Sequence, residues 1–192
     1  MGTTNSGSMV EAATELAGDP DEEQGVGGLL KSVSGVRWAE LRDATGAPAG
    51  GIPSLLSRIA YGDEDAARIA IDELGDAICA LGFVVGEATA PTVPFLVELA
   101  GAPHVACKAE LLALLGSICQ TDQWHSAATA ARNGKRDTGY HQQPGWEAAA
   151  RTAVFVGRSV IEGVASSVHP EEATPARRLL QMMDHIPPFP EL

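Results

Sequence analysis

The sequence predicts an all-α protein, a short α-solenoid of about three antiparallel helix pairs. A proline-opened apolar helix followed by an acid-capped amphipathic one spans Gly51–Tyr61 and Asp63–Leu81, and the pattern returns over Ala88–Ala100 and Val105–Gln120. Each pair carries an apolar face that it cannot bury alone, so pairs must stack to exclude water. Aromatic residues make up only 5 % of the chain while alanine is plentiful, which suits helices packed closely on small side chains.

At 192 residues the chain is long enough for one domain with a sizeable core. Three stretches are expected: a disordered acidic segment over 1–34, a repeat domain over 35–185 with an inserted loop at 121–144, and a Pro-rich tail over 186–192. Residues 1–28 hold six acids and no Lys or Arg. Few large apolar groups are available there to offset ordering entropy, and a short helix near Val10–Leu16 is the most the pattern allows.

The repeat region opens at Val36 with a short helix ending near Gly46, whose Trp38 and Leu41 would cover the open end of the array. Pro53 falls in the first turn of the next helix, where its missing N–H costs nothing, and Leu55, Leu56, Ile59 and Ala60 form one stripe. Asp63 is placed to cap the second helix, with Glu64 and Asp65 in the turn where the helix dipole favours negative charge. Ala67, Ala70, Ile71, Leu74, Ala77, Ile78 and Leu81 then share its apolar face, and Asp65, Arg68, Asp72 and Asp76 the opposite one.

The second unit begins with Thr89 as a cap, and Pro91 and Pro94 fix the approach before Phe95, Leu96 and Leu99 pack. Val105–Gln120 is apolar nearly all round, through Leu111, Leu112, Leu114, Leu115 and Ile118, and should be the most buried helix. A helix over Trp146–Val164 would face Ala149, Ala153, Val156, Val160, Ile161 and Val164 inward around Gly157. Pro170 opens the last helix with Glu171 and Glu172 in its first turn, completing a third pair. The tail from Ile186 to Leu192 reads as a strap over the final apolar groove.

Trp38-Ala-Glu-Leu, Gly51-Ile-Pro-Ser-Leu-Leu, Gly62-Asp-Glu-Asp-Ala-Ala-Arg and Glu87-Ala-Thr-Ala-Pro-Thr-Val-Pro-Phe-Leu together resemble HEAT-repeat-like proteins of actinobacteria, over about residues 36–184. The resemblance implies an α-solenoid used as a protein-binding scaffold. It carries over no catalytic residue.

The net charge of −12 argues against nucleic acid as a partner, since that affinity rests on clustered Lys and Arg. A basic protein or peptide fits better. Cys79, Cys107 and Cys119 fall in expected helices without C-x-x-C spacing, so they read as small buried thiols rather than a disulfide or zinc framework. No run approaches the roughly 18 apolar residues that span a bilayer, and a cytoplasmic location away from membranes is expected. The chain contains no phosphate-binding Gly-rich loop, H-E-x-x-H pair or G-x-S-x-G elbow, and no cofactor, metal or catalytic residue is called for.

Two places are candidates for binding. In stacked helix pairs the second helix usually lines the concave surface, so Asp72, Glu73 and Asp76 either meet a cationic partner there or form a solvated face. The long loop gathers Trp124, His125, Arg136, Tyr140, His141 and, just beyond it, Trp146. Its aromatic and basic groups either supply contact area to a partner or anchor the loop ends to the array.

The leading expectation is a non-enzymatic scaffold or adaptor, toxin neutralisation included, that grips a basic protein or peptide on its concave acidic face. The alternative is a small-molecule-binding or biosynthetic protein using the groove beside the 121–146 loop.

Overall fold

This computed structural model describes Met1, residues 28–121 and residues 143–186. Among the described residues there are seven α-helices: α1 (Ile52–Tyr61), α2 (Glu64–Ile78), α3 (Thr89–Gly101), α4 (Lys108–Cys119), α5 (Gln143–Val156), α6 (Arg158–Ala165) and α7 (Pro170–His185). A two-stranded antiparallel hairpin, β1 (Cys79–Ala80) and β2 (Val84–Val85), links α2 to α3. The protein is therefore all-α apart from this ribbon. No helix among the described residues is long and apolar enough to cross a membrane.

Apolar stripes at helical spacing decide which helices touch. α1 packs on α2, and α3 on α4, while α3 also lies against α5 and α6, and α4 against α7. Contacts of α1 with α3 and of α2 with α4 join the pairs. The helices thus form two rows, α1–α3–(α5, α6) and α2–α4–α7, with a single core between them centred on Leu56, Leu74, Leu96, Leu99, Leu112 and Leu115.

Helix ends follow the local chemistry. Asp63 caps α2 by accepting the Ala66 N–H at 2.8 Å, as its position and type predict. Pro53 and Pro170 sit in first turns. The C-terminus of α4 is satisfied from another helix: Arg151 of α5 donates to the Cys119 carbonyl at 3.0 Å and the Thr121 carbonyl at 2.6 Å, placing a cation on the negative end of the dipole.

Several expectations are corrected. Leu29, Leu30 and Val33, assigned to the disordered segment, pack partly buried against the core, and the Leu30 N–H reaches Glu98 Oε1 at 3.1 Å. The remainder of that segment, with the Val10–Leu16 helix, lies outside the described residues, as do the loop from 122 to 142 and the tail beyond Ile186. No α-helix forms over 36–46. A single 3-10 turn does, Trp38–Glu40, with another at Val33–Gly35 just before it, because Trp38 and Leu41 alone are too few to hold an isolated α-helical segment. Trp38 is nonetheless buried, its indole N–H donating to the Val33 carbonyl at 2.8 Å and its ring 6.0 Å from that of Phe95.

α2 stops at Ile78, three residues short of the expected end, and the chain turns through Leu81 and Gly82, both at positive φ. Leu81, expected on the apolar face, is 81 % exposed. Cys79 consequently lies in β1, and Cys107 caps α4 in a left-handed conformation, so only Cys119 sits within a helix. Thr89 does not cap α3. It occupies the first helical position, where its hydroxyl accepts the Gly86 N–H at 2.9 Å and donates to the Ile78 carbonyl at 2.6 Å, tying α2 to the start of α3. Gly86 allows this closure: a Cβ there would stand 2.6 Å from the Asp43 backbone, which passes over the hairpin.

The expected helix Trp146–Val164 is two helices broken at Gly157, and its buried stripe is rotated by about one residue. Ala150, Val154, Gly157, Ile161 and Val164 face inward, whereas Ala149, Val156 and Val160 are exposed. The physical reason is Val97 of α3, whose methyl groups occupy the space a side chain at 157 would need. Close approach to α3 selected the small stripe over the more apolar one.

Candidate functional site

The outer face of the α2–α4–α7 row brings together the most distinctive surface chemistry. Buried side chains of α2 fix which residues point away from the core, and Asp65, Ile69, Asp72 and Asp76 form its outermost strip. Asp72 and Asp76 are exposed on adjacent turns and enter no ion pair among the described residues. Glu73 is turned sideways, where Arg58 of α1 holds it at 2.8 Å. Arg68 is held by Glu64 and Asp65 of its own helix and reaches Glu110 of α4 at 3.8 Å, so the exposed strips of α2 and α4 belong to one face. Its hydrogen bond to Glu64, above all, raises the guanidinium pKa further.

Next to this strip, α4 and α7 enclose a groove of about 440 Å³. One wall is made of small side chains, Ala109, Ala113 and Gly116 at i, i+4 and i+7 of α4. Leu112 and Leu179 form the floor, and Pro175 and Met182 the far wall. Arg178 stands exposed at the rim without an ion pair among the described residues. A shallower depression of about 510 Å³ continues past Gln120, Arg178 and Met182 to His185 and Ile186.

A partly buried ion pair fixes α4 against α7. Lys108 Nζ, 9 % exposed, donates to Glu172 Oε1 at 3.0 Å, and Ser167 Oγ donates to Glu172 Oε2 at 3.2 Å. The Lys108 hydrogen bond holds the Glu172 carboxyl below the ordinary carboxylate range. A cation in the first turn of a helix opposes the helix dipole, and here the carboxylate from the first turn of α7 offsets it. These groups also line a cleft of about 330 Å³ with Gly101, Pro103 and Val164.

The thiols are poorly reactive in character. Burial pushes Cys79 up to about 11 and raises Cys119, although Arg151 pulls the latter back. Cys107 is also raised, by burial first and then by Glu110. Among the described residues no group of three His, Cys, Asp or Glu stands close enough to hold a metal ion.

Of the sequence-predicted residues, Asp72 and Asp76 share the face just described and Glu73 lies at its edge. Trp146 is elsewhere, half-buried against the core on α5. Trp124, His125, Arg136, Tyr140 and His141 lie outside the described residues. Sequence reasoning missed the α4–α7 groove and Arg178. The small residues at helical spacing on α4 were the available signal, but nothing in the sequence said that α7 would stand opposite them.

Compared with protein-family models, curated proteins and solved structures, the chain finds no match.

Proposed function

We propose that this protein is a non-enzymatic interaction scaffold, a short HEAT-like α-solenoid that binds a basic protein or peptide on its α2–α4–α7 face. The observation that carries the reading is the pairing of two exposed, unengaged carboxylates, Asp72 and Asp76, with an apolar groove of about 440 Å³ on the same face. Carboxylates steer a cationic partner and set its orientation, while the groove supplies apolar burial at the centre of contact. Adaptor and toxin-neutralising roles both use such a surface.

The test is capture of partners at low and moderate salt, followed by affinity measurement with Asp72→Arg/Asp76→Arg. Binding should weaken at least tenfold, and the salt dependence should flatten. Unchanged affinity would remove the acidic strip from the reading.

The groove also falls within the roughly 300–1,000 Å³ range of small-molecule sites, and it ends at Gln120 beside the start of the 121–144 loop. This supports a second reading, an apolar small ligand bound there. Retention of a small molecule through purification, with no protein partner captured, would favour it.

A further inference from the structure

The face described above is self-complementary. Its α2 edge is a protruding apolar knob among carboxylates: Ile69 is 53 % exposed, and Asp65, Asp72 and Asp76 lie beside it. Its α7 edge is the converse, an apolar groove with a cation, Arg178, at the rim. α4 lies between the two edges and presents Ala113 and Ser117 outward, with Glu110 at its first turn held beside Arg68 of α2.

The levels of these groups along the helices also match. Cys107 Sγ lies 3.6 Å from the Glu64 carbonyl, and Gly75 faces Leu114, so α2 and α4 run parallel. Lys108 bonds Glu172 while Gly116 faces Leu179 and Met182, so α4 and α7 also run parallel. Arg68 reaches Glu110 and Gly75 faces Leu114, which puts Asp72, between them, at the level of Leu111 to Leu114. Those positions are three to six residues beyond Lys108, as Pro175 and Arg178 are beyond Glu172, so Asp72 lies within about one turn of Arg178, inside the reach of its long side chain. By the same steps Ile69 lies between the levels of Glu172 and Pro175, at the N-terminal end of the groove.

A two-fold axis parallel to the helices and lying over α4 exchanges the α2 and α7 edges while preserving level. We propose that the chain pairs with a second copy of itself across this axis, Ile69 of each entering the other's α4–α7 groove and Asp72 of each meeting the other's Arg178. Such an interface is isologous, so each contact occurs twice. Three helices about 10 Å apart and about 18 Å long present roughly 500 Å² per copy, the low end for a specific interface. An interface of that size fits a weak, concentration-dependent dimer. A basic partner on Asp72 competes with Arg178 of the second copy, which makes dimer opening a condition of partner binding.

Sedimentation velocity on the full chain, from about 1 µM to 1 mM at low and high salt, tests this without any partner present. Wild-type protein should dimerise with rising concentration and less so at high salt. Ile69→Asp, Asp72→Arg and Arg178→Asp should each weaken the dimer at least tenfold. All three positions are exposed, and circular dichroism melting confirms that each variant is folded.

The decisive sample is an equimolar mixture of Asp72→Arg with Arg178→Asp. In the mixed pair one contact carries the two reversed charges and the other the unchanged Asp72 and Arg178, so both are attractive and the mixture should recover a heterodimer that neither variant forms alone. A wild-type chain that stays monomeric to 1 mM, a dimer indifferent to all three substitutions, or a mixture that stays monomeric overturns the proposal. Any of these leaves the partner-binding reading standing, because that is measured separately against partner.

Discussion

Replacing Thr89 by Val isolates the junction between α2 and α3. Thr89 is fully buried, and its hydroxyl serves two main-chain groups, accepting from Gly86 N–H at 2.9 Å and donating to the Ile78 carbonyl at 2.6 Å. The Ile78 carbonyl is the last of α2 and, like the other terminal carbonyls, has no partner within its helix. Valine keeps the shape but leaves both groups buried and unpaired, at about 1–3 kcal/mol each. The expected loss is about 2–6 kcal/mol in all, a fall of about 6–18 °C in Tm at about 3 °C per kcal/mol for a domain of this size. Thr92→Val is the control. It is equally buried, but its hydroxyl bonds an Ala88 carbonyl that already accepts the Thr92 N–H, so its loss should be only about 0.5–1 kcal/mol. Urea unfolding and thermal melting followed by circular dichroism give both values. A Thr89→Val loss below about 0.5 kcal/mol, or a Thr92→Val loss equal to it, would refute the assignment of Thr89 as the staple of this junction.

Two further outcomes are expected. Gly157→Ala would place a Cβ 2.6 Å from a Val97 methyl, and should cost about 1–3 kcal/mol in urea unfolding, most of it recovered when Val97→Ala is added. The folded-state pKa of Glu172 is depressed by Lys108, so the stability it contributes is present above the unfolded carboxylate pKa of about 4.3 and is lost as pH falls through the lower folded value. Glu172→Gln should therefore flatten the decline in stability between about pH 5 and pH 3, as measured by urea midpoints.

Residues whose chemistry is local determined themselves. Asp63 capped α2, Pro53 and Pro170 opened their helices, and the stripes of α1, α2 and α4 were buried as their spacing requires. These outcomes depend on neighbours within one or two turns, which the sequence contains. The acidic strip of α2 was legible for the same reason, because Asp72 and Asp76 lie opposite the apolar stripe of their own helix.

Tertiary structure decided what depends on residues far along the chain. Hydrophobicity alone favoured Val156 and Val160 over Ala150 and Val154 as the inward stripe around Gly157, and only the close packing of Gly157 on Val97, some 60 residues earlier, turned the helix the other way. α2 gave up its last turn because Thr89 and the hairpin satisfy its end from outside the helix. Lys108 in a first turn looks misplaced until Glu172, 64 residues later, stands beside it. The α4–α7 groove, and the place of Asp72 and Arg178 on one face, exist because that ion pair and the Arg68–Glu110 contact set three helices side by side. Helical periodicity is written within each segment, whereas the register between segments is fixed by contacts that no single segment contains.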